Sequence, residues 1–210
     1  MSRARLMILS LAVACHSARP EIQPQDSRPA DARSTAGDCA PSTERLPSDA
    51  TADGLAGEYR VRIVATAGAK TGAAQDARLR LRPVDDSLRR PSTVLGLRDS
   101  TTRLPLSGSI ELDPAAVGAA RTGDLLSLDP LAPGVLVLER HPVRPDAPAE
   151  IMLRLGSDAN RRGVVRYDGG YFALTVRRIG AGEFAGTWAS GAATEGAEGY
   201  FCAKRAGPAP

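Results

Sequence analysis

Residues 57–66 read GEYRVRIVAT, and 76–84 read DARLRLRPV. In the first stretch Tyr59, Val61 and Ile63 alternate with Arg60 and Arg62; in the second Leu79 and Leu81 alternate with Arg78, Arg80 and Arg82. Successive side chains of a strand point to opposite faces, so period-two alternation specifies a strand with one dry face and one wet face. Such strands need a sheet whose apolar side is covered, which antiparallel sheets provide while leaving the other side in water.

The texture continues to the end of the chain. Further strands are expected at 93–97, 108–112, 123–128, 134–140, 150–155, 163–167, 171–179, 183–189 and 199–204. Asp168-Gly169-Gly170 separates two of these runs and reads as a hairpin turn, since Asp and Gly accept the positive φ that tight turns demand. Helix signals are few; Asp113-Pro114 caps and opens a turn through Ala120. Leu-Asp-Pro occurs at 112–114 and again at 128–130, consistent either with a strand-turn unit used twice or with chance. Ten or eleven short antiparallel strands curl, close or split rather than lie flat. The expected fold class is therefore all-β, a small antiparallel β-barrel, with a two-sheet β-sandwich as the alternative.

The barrel is expected over residues 55–205, with a disordered tail at 206–210. Before it, residues 16–54 hold five prolines and few large apolar side chains. Such a stretch cannot bury enough surface to offset chain entropy and reads as a disordered N-terminal tether. Earlier still, Arg3 and Arg5 precede the apolar run from Leu6 to Ala14, the layout of a signal peptide over residues 1–14. The run is too short to span a bilayer, which takes roughly 20 apolar residues.

The sequence LAVAC at 11–15 resembles the lipobox of bacterial lipoproteins, with Ala12 where Leu is usual. The resemblance implies lipid attachment at Cys15, a lipid-anchored linker over 15–54, and export to the cell envelope. His16, which is not the Asp that retains such proteins in the inner membrane, implies the periplasmic face of the outer membrane. Two acyl chains suffice for stable anchoring. With Cys15 acylated, Cys39 and Cys202 remain as a possible disulfide; two free thiols are the alternative.

Charge excludes one partner class. The formal +3 includes Arg3 and Arg5, so removal of the signal leaves +1, too little for a nucleic-acid footprint.

LAGEY at 55–59, AGTW at 185–188 and the terminal GYFCAKR at 199–205 resemble the calycins, the lipocalin and avidin-type barrels. Lipocalins place Gly-x-Trp in the first strand under a basic residue from the last. Here Gly57-Glu58-Tyr59 holds the first position, and Lys204 or Arg205 supplies the basic group. The resemblance implies a barrel able to hold a small apolar ligand.

No Gly-x-Ser-x-Gly, His-Glu-x-x-His, phosphate loop or zinc-spaced His/Cys set is present. His141, before Pro142 at a strand end, reads as a surface loop residue. We therefore expect no catalytic role, no cofactor and no metal. Two surfaces remain. Tyr59, Val61, Ile63, Leu79, Leu81, Phe184 and Trp188 on the dry face fill the barrel or line a pocket. Arg60, Arg62, Arg78, Arg80 and Arg82 on the wet face form either a solvated stripe balanced by Glu58, Asp76, Asp85 and Asp86 or a surface for envelope polyanions.

Overall fold

The structure, a computed structural model, describes residues 39–84, 100–129, 132–142, 144, 146–157, 170–192 and 195–207. They belong to one compact unit, Ala36–Pro210. Eight strands close into a barrel: β1 (Gly57–Ala67), β2 (Ala74–Pro83), β3 (Ser100–Glu111), β4 (Val135–Pro142), β5 (Glu150–Leu155), β6 (Tyr171–Gly180), β7 (Glu183–Ala192) and β8 (Glu195–Arg205). Each strand pairs antiparallel with the next, and β8 returns to β1, so no edge strand remains.

Alternation decides which residues face inward. Tyr59, Val61, Ile63 and Ala65 of β1 meet Ala77, Leu79 and Leu81 of β2 inside, while the intervening arginines stay outside. The same phase carries Ile151, Leu153 and Leu155 of β5, Phe172, Leu174 and Val176 of β6, and Phe184 and Trp188 of β7 into one core. Ring contacts run through it: Tyr59 lies edge-on to Phe184 at 5.0 Å, Phe184 to Phe201 at 5.9 Å, and Phe172 tilts on Trp188 at 5.3 Å. The Trp188 Nε1–H donates to the Val64 carbonyl at 2.9 Å. Gly199 makes room for that bond, because a Cβ there would lie 2.7 Å from Trp188 Nε1 and 1.9 Å from the Val64 oxygen.

Both ends of the barrel are covered. At the end where β1 begins, the chain before it crosses the opening and buries Leu46, Ala52 and Leu55. A disulfide between Cys39 and Cys202 fixes this segment to β8, with the two Cα atoms 5.5 Å apart. At the other end the β3–β4 connection folds over the opening. Asp113 accepts a hydrogen bond from the Ala115 amide and starts a 3-10 turn, Pro114–Val117, which Gly118 ends at a φ of 71°. Val117 and Leu125 are buried there, Thr122 donates to the Leu155 carbonyl at 2.7 Å, and the Ala120 amide donates to Ser190 Oγ at 2.8 Å.

Several expectations need correction. The stretch 123–128 is not a strand but part of that lid, since the Ile110 amide bonds the Leu125 carbonyl singly and the Leu126 amide turns back to Asp124. The turn at Asp113-Pro114 stops at Val117, short of Ala120. The expected strand at 93–97 and the first arm of the hairpin, 163–167, lie outside the described residues. From Ala173 to Val176 one edge of β6 is held by β5 and the other by β7.

Candidate functional site

Three groups of residues emerge from this frame: the interior wall, a charged cluster at one end, and the arginine-bearing outer wall. The seven apolar candidates Tyr59, Val61, Ile63, Leu79, Leu81, Phe184 and Trp188 all belong to the interior wall, and none is more than 2% exposed. A side chain lining a water-sized space would register accessible surface, so these seven are in contact with protein on every side. Of the two basic residues expected over Tyr59, Arg205 takes the place. Its guanidinium carbon lies 5.2 Å from the ring centroid, and its nitrogens donate to the Tyr59 hydroxyl at 3.0 Å and to the Ala56 carbonyl at 3.1 Å. Burial pushes the Tyr59 phenol up, and the nearby Arg205 charge partly offsets it. Gly57 is needed beneath this fork, because a Cβ would lie 2.6 Å from Arg205 Nη1 and φ there is +144°.

The charged cluster was missed in the sequence. Glu139 of β4 is fully buried, yet its carboxylate accepts from the Ala52 amide at 2.7 Å and lies 2.7 Å from His141 Nε2 and 3.3 Å from Arg103 Nη1. Arg103 continues to Asp53 at 2.9 Å. His141 is therefore not a free loop residue: it sits in β4 opposite Thr101, and its Nδ1 faces the Ser48 carbonyl at 3.2 Å. With an oxygen facing each ring nitrogen, the site favours the charged imidazole, which can donate to both. The hydrogen bond to Glu139 raises the His141 pKa above its usual value. The hydrogen bond to Asp53 likewise holds Arg103 up. The cluster ties the segment that covers this end to β3 and β4, through Ala52, Asp53 and Ser48, which suits a latch. The signal was present: Val135, Val137 and Glu139 share one phase, which puts a carboxylate on a dry face.

On the outer wall the register separates paired from unpaired arginines. Arg62 faces Asp76 and bonds it at 3.1 Å, and Arg80 faces Glu58 and bonds it at 2.8 Å. Between these pairs Arg60 lies directly opposite Arg78. Lys204 is opposite Arg60 on its far side, and Glu111 faces Arg78 without closing an ion pair. Among the described residues Arg60, Arg78 and the exposed Arg82 make no ion pair. The disulfide is on this same wall, since Cys202 is the partner of Arg62 across β1 and β8.

A groove of about 360 Å³ lies on the lid of the opposite end, lined by Leu112, Pro114, Arg121, Asp124, Leu125 and Leu126 among others. Both its aspartates, Asp113 and Asp124, are used as backbone caps. Among the described residues no group of three or more His, Cys, Asp or Glu side chains is arranged to hold a metal ion. No helix among them is long and apolar enough to cross a membrane. Cys15 lies outside the described residues.

No protein-family model, curated protein or solved structure matches this chain.

Proposed function

We propose that the chain is a lipid-anchored envelope protein with a non-catalytic binding role, exercised by its arginine-bearing outer wall on anionic envelope components. The anchor reading is supported by the LAVAC sequence ending at Cys15 behind a short apolar run. The choice of the outer wall over the barrel interior is carried by one observation: Arg60 and Arg78 face each other, and neither makes an ion pair among the described residues. Like charges directly opposite on a sheet destabilise it, so this wall holds charge that the fold does not need. The interior, by contrast, has its apolar side chains in mutual contact, which speaks against a small apolar ligand there.

The two parts are tested separately. Cys15→Ser is expected to release the protein from the membrane fraction of its host; a variant that still sediments with membranes contradicts the anchor. The barrel is expected to be retained on an anionic matrix at low salt and to be lost on Arg60→Gln/Arg78→Gln, because exposed charge is screened over about 10 Å at 0.1 M ionic strength. Retention that survives the double substitution contradicts the outer-wall reading.

A further inference from the structure

The position of the disulfide narrows the partner. The chain that leads back to Cys15 joins the barrel at Cys202, on the side wall and not at either end. Cys202 is paired with Arg62, and neighbouring strands in such a pair run about 5 Å apart. Two residues along β8 on the same face is Lys204, which is paired with Arg60. The point of attachment and the unpaired guanidinium groups therefore share one face of β8, β1 and β2.

Only 23 residues separate Cys15 from Cys39. The attachment wall carries Arg60, Arg62, Arg78, Arg80, Arg82 and Lys204 together with Glu58, Asp76, Glu111 and Glu198, and Lys204 faces Glu183 of β7. Across the barrel, the outer faces of β5 and β6 hold Glu150, Met152, Arg154, Tyr171, Ala173, Thr175 and Arg177, and Arg154 is paired with Ala173 and not with another arginine. The chain as a whole is close to neutral once its first residues are set aside, so what marks this wall is the placement of Arg60 opposite Arg78 and not its net charge.

We infer that the face bearing Arg60, Arg78 and Arg82 lies against the anionic headgroups of the membrane that holds the chain's own anchor. This rests on the lipid-anchor reading for its setting, but the contact itself needs no acyl chain. Guanidinium forks match phosphate oxygens in pairs, and two of them side by side can grip neighbouring headgroups. Basic residues near an anionic membrane each contribute a roughly fivefold gain in partitioning, which falls off within a Debye length. Docking by this wall would lay the barrel axis along the membrane plane, with both covered ends to the sides.

The test uses the full chain with Cys15→Ser, so that no acylation is possible, and measures sedimentation with phosphatidylcholine vesicles with or without about 30 mol % phosphatidylglycerol. Partitioning is expected to rise at least tenfold on the anionic vesicles at low salt and to vanish at about 0.3 M salt. Arg60→Gln/Arg78→Gln is expected to lower it about 25-fold, and Arg82→Gln alone about fivefold. Both sites are exposed, and an unchanged thermal midpoint confirms that the variants are folded. Equal binding to neutral and anionic vesicles overturns the inference, as does binding unaffected by the substitutions. Binding to soluble polyphosphate without binding to anionic vesicles overturns it too, in favour of an anionic polymer. None of these outcomes depends on acylation, so a failed anchor and a failed docking face give different results.

Discussion

The inner and outer walls of this barrel are made from the same strands, yet they treat charge in opposite ways. Inside, Glu139, the one buried carboxylate among the described residues, has several partners: an amide, an imidazole and a guanidinium. Outside, the guanidinium groups of Arg60 and Arg78 face each other, and neither makes an ion pair among the described residues. Leaving a buried charge unpaired costs far more than leaving an exposed one so, because water screens the latter. The inner wall is thus constrained by folding at every position, whereas the outer wall is free to hold charge for another purpose. Stability and binding are expected to separate along that line.

The largest effect belongs to the inner wall. Trp188→Ala removes the biggest core side chain and a hydrogen bond, and is expected to cost about 3–5 kcal/mol in denaturant unfolding. Its vesicle binding should be unchanged under conditions where it remains folded. A core variant that stays folded and loses binding would break the separation of the two walls.

Next comes an outer-wall feature with an inner-wall magnitude. Cys39→Ala/Cys202→Ala opens a cross-link between residues 163 positions apart and should cost about 3 kcal/mol, since long closed loops restrict the unfolded chain most. It should also free the segment that buries Leu46, Ala52 and Leu55, read as faster amide exchange there. A smaller loss, about 2 kcal/mol, is expected for Glu139→Gln, which keeps the shape but removes the charge that Arg103 and His141 share.

The pH dependence of the same cluster has a definite sign. His141 binds its proton more tightly folded than unfolded, so its contribution is fully present below the ordinary histidine value near 6.5. It is lost as pH rises through the raised folded value. Unfolding free energy should therefore decline on going from about pH 6 upward, and His141→Gln should flatten that slope. A slope that persists in the variant would place the titrating group elsewhere.

Smallest is the change at the outer pair. Arg60→Gln/Arg78→Gln is expected to leave stability unchanged or raise it by about 0.5 kcal/mol, with the gain fading in high salt.

How much of this was legible follows the same division. The barrel was readable because alternation in β1 and β2 puts every arginine on one face and Tyr59, Val61, Ile63, Leu79 and Leu81 on the other, with Val64 the large apolar exception. The number of strands was not. GDLLSL at 123–128 has the composition of a strand, but Asp124 caps the Leu126 amide and the segment serves as a lid, a tertiary role with no local signature. Cysteine parity left a Cys39–Cys202 bridge and two free thiols both open, and the structure has the bridge. The Glu139 cluster was half legible: the phase of Val135, Val137 and Glu139 announces a buried acid, but Ala52, Arg103 and Asp53 reach it only through chain folding. The arginine stripe was visible as composition, whereas register alone decides that Arg62 and Arg80 are paired while Arg60 and Arg78 are not.

Position, and not net charge, is what the outer-wall account asserts, and one comparison isolates it. Arg60→Gln/Arg78→Gln and Arg154→Gln/Arg177→Gln remove the same charge from opposite sides of the barrel, and both can be measured for partitioning onto anionic vesicles in the unacylated chain. The account predicts a loss of about 25-fold for the first pair and less than about twofold for the second. Equal losses from the two pairs would contradict it.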